Sequence, residues 1–297
     1  MPKPWTQMSA AELGRAIEAG KINPVELAEH FLDAATLHPM GERIYARLTP
    51  ARARGEAMSA AARAKAGLRR HTLDGVPLSW KDLFDSAGVA TESGSALLKG
   101  RMPQADALVL QTATLLGAAA LGKTHMSELA FSGLGLNPVT ATPPCINDDQ
   151  AVPGGSSSGA AASVAFGLAP AAVGSDTGGS VRIPAAWNDL VGLKTTTGRL
   201  PLTGVVPLCE TFDTVGPLAR SVEDCAHLLA AMENRDFAAA EGFLAAEFEM
   251  EFPGSEKMHT PNELIEWSKP RYRSVGKHYE RTDVADAPDG SAVIYCF

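Results

Sequence analysis

The feature of the sequence that most constrains its fold is a stretch rich in glycine, serine and alanine, residues 154–179, which encloses an apolar run with helical character, residues 160–168. Glycine pairs stand before Ser156 within this stretch and before Ser180 at its end. Because glycine has no side chain, the backbone at such pairs approaches other groups closely or adopts conformations that are closed to other residues. We therefore expect a short helix held between two glycine-dependent turns.

The rest of the chain alternates between helical and strand-like patterns. Apolar residues at helical spacing predict two amphipathic helices near the N-terminus, broken at residues 20–24. A third helix is predicted over the alanine-rich residues 50–67 and a fourth over residues 106–119, which run into an apolar strand. Residues 73–81 read as a turn that enters a short strand. Strands that alternate with helices, with few hairpin signals, predict an α/β fold with a mixed, largely parallel sheet.

The composition of the chain changes near Met232. At roughly 150 residues per domain, 297 residues correspond to about two domains. Residues 233–297 hold 13 acidic and 7 basic side chains, which gives −6 of the formal charge of −8. They also hold 9 of the 18 aromatic residues but 4 of the 28 glycines. We therefore expect two domains of different origin, residues 1–232 and residues 233–297.

Charge and cysteine content exclude several classes of function. A net charge of −8 lacks the positive field that captures phosphate backbones, so nucleic acid and anionic membrane surfaces are not expected as ligands. Neither a CxxC motif nor a histidine at metal-ligand spacing accompanies the four cysteines, Cys145, Cys209, Cys225 and Cys296. They read as reduced thiols, and no metal is expected. Without an apolar run of spanning length or a hydrophobic signal core, the chain is predicted to be cytoplasmic.

Two short motifs match known sites by their letters alone. Residues 117–124 fit the phosphate-loop pattern GxxxxGK[ST]. That loop must follow a strand and open a helix, whereas here a predicted helix precedes it. We interpret the match as chance, with Lys123 marking the end of a strand. Residues 155–159 fit GxSxG, which would make Ser157 the nucleophile of an α/β-hydrolase-type esterase. Its histidine would be one of three downstream candidates, His227, His259 and His278.

A third interpretation uses residues from three separate blocks. Lys81 lies in PLSWKDLF, Ser156 in PGGSSSG and Ser180 in GSDTGGSVRIP. Lys81 ends an apolar strand segment and is flanked by Trp80 and Leu83. A lysine that is desolvated in this way loses its proton more easily, and only a neutral amine acts as a base.

These blocks carry a resemblance to the amidase signature family that extends from about residue 8 to residue 232. Its motifs occur in the family's order and spacing as GVPLSWKDLFD, LGKTHMSELA, PGGSSSG, GSDTGGSVRIPAAW, VGLKTTTGR and DTVGPLARSVEDC. The resemblance implies an amidase-signature-type mixed β-sheet flanked by helices. It also implies hydrolysis of the C–N bond of a small amide through an acyl-enzyme, without a metal or cofactor.

The resemblance also implies roles for individual residues. Ser180 would be the nucleophile, Ser156 a bridging serine after a cis peptide bond, and Lys81 the base that removes the proton. The backbone amides of residues 177–180, Thr177, Gly178, Gly179 and Ser180, would form the oxyanion hole.

Some polar residues beside these blocks have a structural interpretation as well as a functional one. Ser157 and Ser158 are expected to cap the following helix. Asp176 and Arg182 are expected to form a structural ion pair. As an alternative, Ser157 and Arg182 would contact the substrate, with Arg182 holding an acidic group.

The C-terminal part departs from the family pattern. Family members continue with a second half that completes the sheet and walls the substrate pocket, and this half is not found in the present chain. Instead, residues 233–297 resemble part of an NTF2-like (SnoaL-like) domain, a small α+β segment. The sequence therefore leaves two hypotheses open. One is an amidase that acts on a small amide, with the formation of homo-oligomers left open. The other is a truncated or fused homologue with little or no activity that serves as a binding or oligomerisation module.

Overall fold

A computed structural model describes residues 3–233, 257–259 and 263, together with the backbone of two strands in residues 282–286 and 292–296. The chain divides into two compact units, Met1–Asn234 and Arg235–Phe297. No helix among the described residues is both long and apolar enough to cross a membrane.

The first unit combines eight α-helices with six strands in its described part. The helices are α1 (Ala10–Glu18), α2 (Pro24–Leu37), α3 (Gly41–Ile44), α4 (Pro50–Ala66), α5 (Leu108–Leu115), α6 (Ser158–Ala165), α7 (Arg182–Trp187) and α8 (Val222–Met232). The strands are β1 (Tyr45–Leu48), β2 (Pro77–Lys81), β3 (Ala119–Thr124), β4 (Ala171–Ser175), β5 (Val191–Gly192) and β6 (Val215–Ala219). The helices predicted from periodicity, the strand after residue 73 and the helix between the glycine-rich turns are all confirmed.

Local sequence signals explain where the first two helices begin. Ser9 and Glu12 form a capping box before α1, in which each side chain accepts a hydrogen bond from the backbone amide of the other. α2 begins at Pro24, whose fixed φ suits the first helical position and whose missing N–H is not needed there. The predicted break at residues 20–24 is therefore confirmed.

The six strands form one mixed sheet in the order β1-β3-β2-β4-β6-β5. The central neighbours β3, β2 and β4 are parallel, whereas β1–β3, β4–β6 and β6–β5 are antiparallel. The prediction of a mixed sheet is confirmed, but the prediction that it is largely parallel is wrong. The chain crosses from β4 through α7 to β5, which runs in the same direction, and then returns as β6 between these two strands. An inserted returning strand of this kind leaves no trace in the local periodicity.

The parallel pairing of β2 with β4 brings two strand ends together. β2 ends at Lys81 and β4 ends at Ser175, and the register pairs Trp80 with Val173. Because the carboxyl ends of parallel strands meet at the same edge of a sheet, residues that follow β2 and β4 are neighbours in space. Both strands are buried along their whole length.

The residues that fit the phosphate-loop pattern lie mostly in strand β3. Every residue of β3 is buried, and Lys123 forms an ion pair with Asp82 at 3.0 Å. A strand in the middle of a sheet has its backbone amides engaged in strand pairing, so they are not free to cradle phosphate. The interpretation of this motif as a chance match is therefore confirmed.

The second unit contains an antiparallel pair of strands, β7 (Thr282–Asp286) and β8 (Ala292–Cys296). Most residues of the predicted NTF2-like segment, including His278, lie outside the described residues. That assignment stays a prediction.

Candidate active site

Lys81 is a fully buried lysine without a carboxylate partner among the described residues. Its Nζ donates hydrogen bonds to the hydroxyl of Ser156 at 2.7 Å and to the hydroxyl of Ser175 at 2.8 Å. Burial lowers the pKa of Lys81 from 10.5 to about 7, although the charges of Asp176 and Asp213 act in the opposite direction. A large fraction of Lys81 is therefore neutral near pH 7, which is the form that accepts a proton.

Ser156 follows a cis peptide bond to Gly155, as the family resemblance implies. The carbonyl of Ser156 accepts a hydrogen bond from the amide of Ser127 at 3.2 Å, and the amide of Gly155 donates to the carbonyl of Gly133 at 2.8 Å. A side chain at position 155 would place its Cβ 2.6 Å from the backbone of Gly135. The second glycine of the pair is therefore required by close packing of two backbone segments.

Ser180 lines an open cavity of about 410 Å³. It is 8% exposed, and its carbonyl accepts a hydrogen bond from the amide of Ser157 at 3.2 Å. This bond ties the segment that carries Ser180 to the segment that carries Ser156. Within the part of the chain that the structure describes, no hydrogen bond joins the Ser180 hydroxyl to Ser156 or Lys81. The structure thus brings Lys81 and Ser156 into direct contact and places Ser180 beside them without a direct bond.

The buried carboxylate of Asp176 organises the loop between β4 and Ser180. It accepts hydrogen bonds from the amides of Gly179 at 2.8 Å and Val181 at 3.2 Å, and two from the guanidinium of Arg182, both at 3.0 Å. Burial raises the pKa of Asp176, but the bonds from Arg182, Val181 and Lys194 outweigh burial and leave it well below its usual range. The expected ion pair between Asp176 and Arg182 is confirmed.

The four backbone amides predicted to form an oxyanion hole are in two different situations. The amide of Gly179 is engaged by Asp176 at 2.8 Å. The amides of Thr177, Gly178 and Ser180 donate no hydrogen bond to any described residue, and these three residues line the cavity. Unpaired amides at a cavity wall are suited to bind a negatively charged oxygen.

Ser157 does not occupy the position expected of a cap or a substrate contact. It stands at the N-cap position of α6, but its side chain accepts no hydrogen bond from the helix. Instead, the fully buried hydroxyl donates to the carbonyl of Ser175 at 3.2 Å and accepts from the amide of Ser175 at 3.3 Å. The expectation that Ser157 caps α6 through its side chain is wrong because the end of β4 competes for its hydroxyl. The hydroxyl of Ser158, for which the sequence predicts the same capping role, is buried without a partner among the described residues.

The esterase interpretation needs an exposed nucleophile next to a histidine. The hydroxyl of Ser157 is buried, and His227 lies in α8 with its ring 5.8 Å from the ring of His71. His259 is described, whereas His278 lies outside the described residues. The described geometry therefore does not support Ser157 as a nucleophile.

Three polar residues of the site were missed by the sequence reasoning. Ser175 is the second partner of Lys81, and Asp213 accepts a hydrogen bond from the hydroxyl of Thr177 at 2.5 Å. Lys194 contacts the backbone of Asp176 and Thr177. The only sequence signal was their place inside the family blocks, since their contacts depend on strand pairing. Among the described residues, no three histidine, cysteine, aspartate or glutamate side chains cluster as a metal site.

Comparison with known protein families agrees with these motifs. Residues 26–251 match the Amidase family. This matched region ends beyond the junction expected near Met232. A curated relative, which belongs to the glutamyl-tRNA(Gln) amidotransferase of Anaeromyxobacter dehalogenans as one of its subunits, is 42% identical over 238 residues, which cover 79% of this chain and 48% of the relative. The chain thus spans about half the length of the curated relatives that it matches.

Solved structures show the same fold. The native peptide amidase from Stenotrophomonas maltophilia superposes with a TM-score of 0.74 at 34% identity, covering 83% of this chain and 52% of the amidase. A protein from a vestigial complex, reported to reveal the evolutionary origins of an s-triazine catabolic enzyme, also gives a TM-score of 0.74 at 34% identity and covers 77% of this chain and 50% of that protein. These likenesses support the mixed α/β fold predicted from the sequence.

Proposed function

This chain belongs to the Amidase family, and from that premise we propose that it is an amidohydrolase that cleaves the C–N bond of a small amide through an acyl-enzyme. The observation that carries the proposal is the contact between Lys81 and Ser156 at 2.7 Å, beside the cavity that Ser180 lines. A buried lysine whose pKa falls to about 7 and whose partners are hydroxyl groups is suited to accept a proton rather than to form an ion pair.

In the proposed mechanism, Ser180 Oγ attacks the amide carbonyl carbon while its proton passes to Ser156 and the proton of Ser156 passes to Lys81. For this relay, Ser180 Oγ comes within hydrogen-bond distance of Ser156 Oγ when the substrate is bound, a tightening that is common at active sites. The C–N bond then breaks, and the protonated Lys81 returns a proton through Ser156 to the departing nitrogen. Water hydrolyses the resulting ester by the same route and restores Ser180.

The oxygen of the tetrahedral intermediate is proposed to bind at the amides of Thr177, Gly178 and Ser180. These amides have no partner among the described residues and belong to the cavity wall. Donors that are already oriented need no reorganisation when negative charge develops, and removal of one such donor in an enzyme costs about 10²- to 10³-fold in rate. The amide of Gly179 is assigned to the carboxylate of Asp176 instead.

The cavity supports a substrate with a neutral acyl group. Its side chains are mostly apolar, with Ala130, Phe131, Ile183 and Leu208 around Ser180, and no charged side chain of the described residues lines it. Arg182 is engaged by Asp176 and is not needed to hold an acidic substrate. We therefore favour simple aliphatic or aromatic amides over glutamine, whose acyl part carries both an ammonium and a carboxylate.

Covalent labelling tests the nucleophile independently of the natural substrate. Intact-mass spectrometry after treatment with a fluorophosphonate is expected to show one adduct in the wild type and none in Ser180→Ala. Ser163→Ala is a matched control, because the Ser163 hydroxyl is also buried but donates to a carbonyl within α6. Labelling that persists in Ser180→Ala refutes the assignment of the nucleophile. Turnover of butyramide or benzamide with release of ammonia, compared with glutamine, then tests the substrate class.

A second candidate is a binding or oligomerisation role with little catalysis, in which residues 1–232 form the amidase domain and residues 233–297 a separate segment. It is favoured by large apolar side chains exposed near the cavity, since Phe131 is 79% and Leu134 is 49% exposed. One of the relatives described above is part of an amidotransferase and another comes from a complex, which is compatible with an assembly. Turnover of any amide by a pure, monomeric protein in light-scattering chromatography contradicts this second candidate.

A further inference from the structure

The side chain of Lys194 reaches the loop that connects β4 to Ser180. Its Nζ donates to the carbonyl of Asp176 at 2.5 Å and lies 3.3 Å from the carbonyl of Thr177. It also lies 3.2 Å from the carboxylate of Asp176 and 3.3 Å from the hydroxyl of Thr214. An ammonium group has three donors, so these contacts share them. Two successive backbone carbonyls of the loop are thus held by one cation.

The orientation of these two carbonyls fixes the orientation of two amides. In a trans peptide the carbonyl and the following N–H lie in one plane and point in opposite directions. The carbonyl of Asp176 is turned toward Lys194 and Thr214, so the amide of Thr177 points away from them. The carbonyl of Thr177 is turned toward Lys194, so the amide of Gly178 points away from Lys194. The only cis peptide bond among the described residues precedes Ser156, so both of these peptides are trans.

We propose that Lys194 is a positioning residue that aims the amides of Thr177 and Gly178 at the oxygen of the tetrahedral intermediate, an inference that rests on the function proposed above. Both amides are without a partner among the described residues, and both residues line the cavity beside Ser180. Lys194 itself does not line that cavity and acts only through the backbone that it holds.

A role as a mere counter-ion of Asp176 does not account for this geometry. The carboxylate of Asp176 already receives two hydrogen bonds from the guanidinium of Arg182, both at 3.0 Å. Two backbone amides, those of Gly179 and Val181, fill further positions on it. What Lys194 adds is its contact with the two carbonyls, which Arg182 does not make in the structure.

The test compares Lys194→Met with a matched cation elsewhere. Methionine keeps the length of the side chain and removes the three donors. Arg220→Met is the control, because the Arg220 guanidinium also donates to four backbone carbonyls, none of which belongs to a residue that lines the cavity. Lys194→Arg restores donors and is expected to recover part of the loss.

For Lys194→Met we expect kcat to fall by about tenfold to a hundredfold, with KM changed less than about twofold, because the amides act on the transition state. The inhibition constant of a trifluoromethyl ketone, whose hemiketal oxygen is an oxyanion, should rise in parallel. Arg220→Met should lower the melting temperature without changing kcat. A fall in kcat that merely follows melting temperature in both variants, or a rise in KM alone, overturns the proposal.

One measurement does not depend on turnover. In protein labelled with ¹⁵N-glycine, the Gly178 amide is assigned by its loss in Gly178→Ala, a position where a Cβ meets open space. Lys194→Met is expected to shift this resonance, and Arg220→Met is expected to leave it in place. An unchanged Gly178 resonance overturns the positioning role even if the wild type is active. If the wild type takes up no fluorophosphonate at Ser180, the proposed function fails, and the resonance still reports on Lys194.

Discussion

Replacement of Lys81 by methionine is expected to stabilise the protein near neutral pH and to destabilise it in alkali. Burial lowers the pKa of Lys81 from 10.5 to about 7. In the unfolded chain the lysine keeps its ordinary pKa, so the unfolded state binds more protons than the folded state between these two values. By linkage, the stability of the wild type rises with pH across this window and is reduced by the buried lysine below it.

The size of the effect follows from the two pKa values of Lys81. Since one pKa unit corresponds to about 1.4 kcal/mol, the lysine reduces the free energy of unfolding by about 4 kcal/mol at pH 7 and by about 1 kcal/mol at pH 10. Methionine removes this cost but leaves the hydroxyls of Ser156 and Ser175 without their partner, a loss of about 1–3 kcal/mol. The variant should therefore be more stable than the wild type by about 1–3 kcal/mol at pH 7, and less stable by up to about 2 kcal/mol at pH 10.

Urea unfolding followed by circular dichroism at pH 7, 8.5 and 10 measures this difference, and other titrating groups cancel between wild type and variant. Lys123→Met is the matched control, because Lys123 is also buried in a central strand but pairs with Asp82 at 3.0 Å. Removal of one partner of a buried ion pair costs about 3–5 kcal/mol, so this variant should be destabilised at neutral pH. If the Lys81→Met difference is the same at pH 7 and pH 10, the pKa of Lys81 is not lowered and the argument for a neutral base fails.

Two further predictions concern the rate. The kcat/KM of the wild type should rise with pH to a plateau, with a midpoint near 7 set by Lys81, and Asp213→Asn should move the midpoint downward because the Asp213 charge raises that pKa; a midpoint above 9 contradicts the assignment of the base. Ser175→Ala removes one of the two hydroxyl partners of Lys81, so kcat and the rate of fluorophosphonate labelling at Ser180 should both fall, by about tenfold for a lost positioning contact, with KM unchanged; equal losses in Ser163→Ala would show only a general packing effect.

The local part of this structure is readable from the sequence because it depends on near neighbours along the chain. A capping box marks the start of α1 at Ser9, and a proline marks the start of α2. The position of Lys81 at the end of an apolar run likewise predicts a buried strand end, and the structure places it there. In each case the relevant interaction spans a few residues, so its pattern survives in the letters.

The contacts made across the sheet could not be read in the same way. Ser175 meets Lys81 only because β4 pairs in parallel with β2, and Lys194 reaches Asp176 only because β6 is inserted between β4 and β5. The hydroxyl of Ser157 faces a choice between its own helix and the end of β4, and local propensity favours the wrong one. Tertiary pairing decides these contacts, and periodicity carries no information about which strands are neighbours.

The neutral state of the proposed base depends on what the nearby acids are already bound to. The charges of Asp176 and Asp213 both raise the pKa of Lys81, yet its hydrogen bonds go to two serine hydroxyls. Asp176 is occupied by Arg182 and by backbone amides, and Asp213 accepts from the hydroxyl of Thr177 and from two further amides. Because their acceptor positions are filled, neither carboxylate needs the ammonium form of the lysine as a partner. Arg182 is therefore expected to support catalysis without touching the substrate, since it keeps Asp176 from capturing the base as an ion pair.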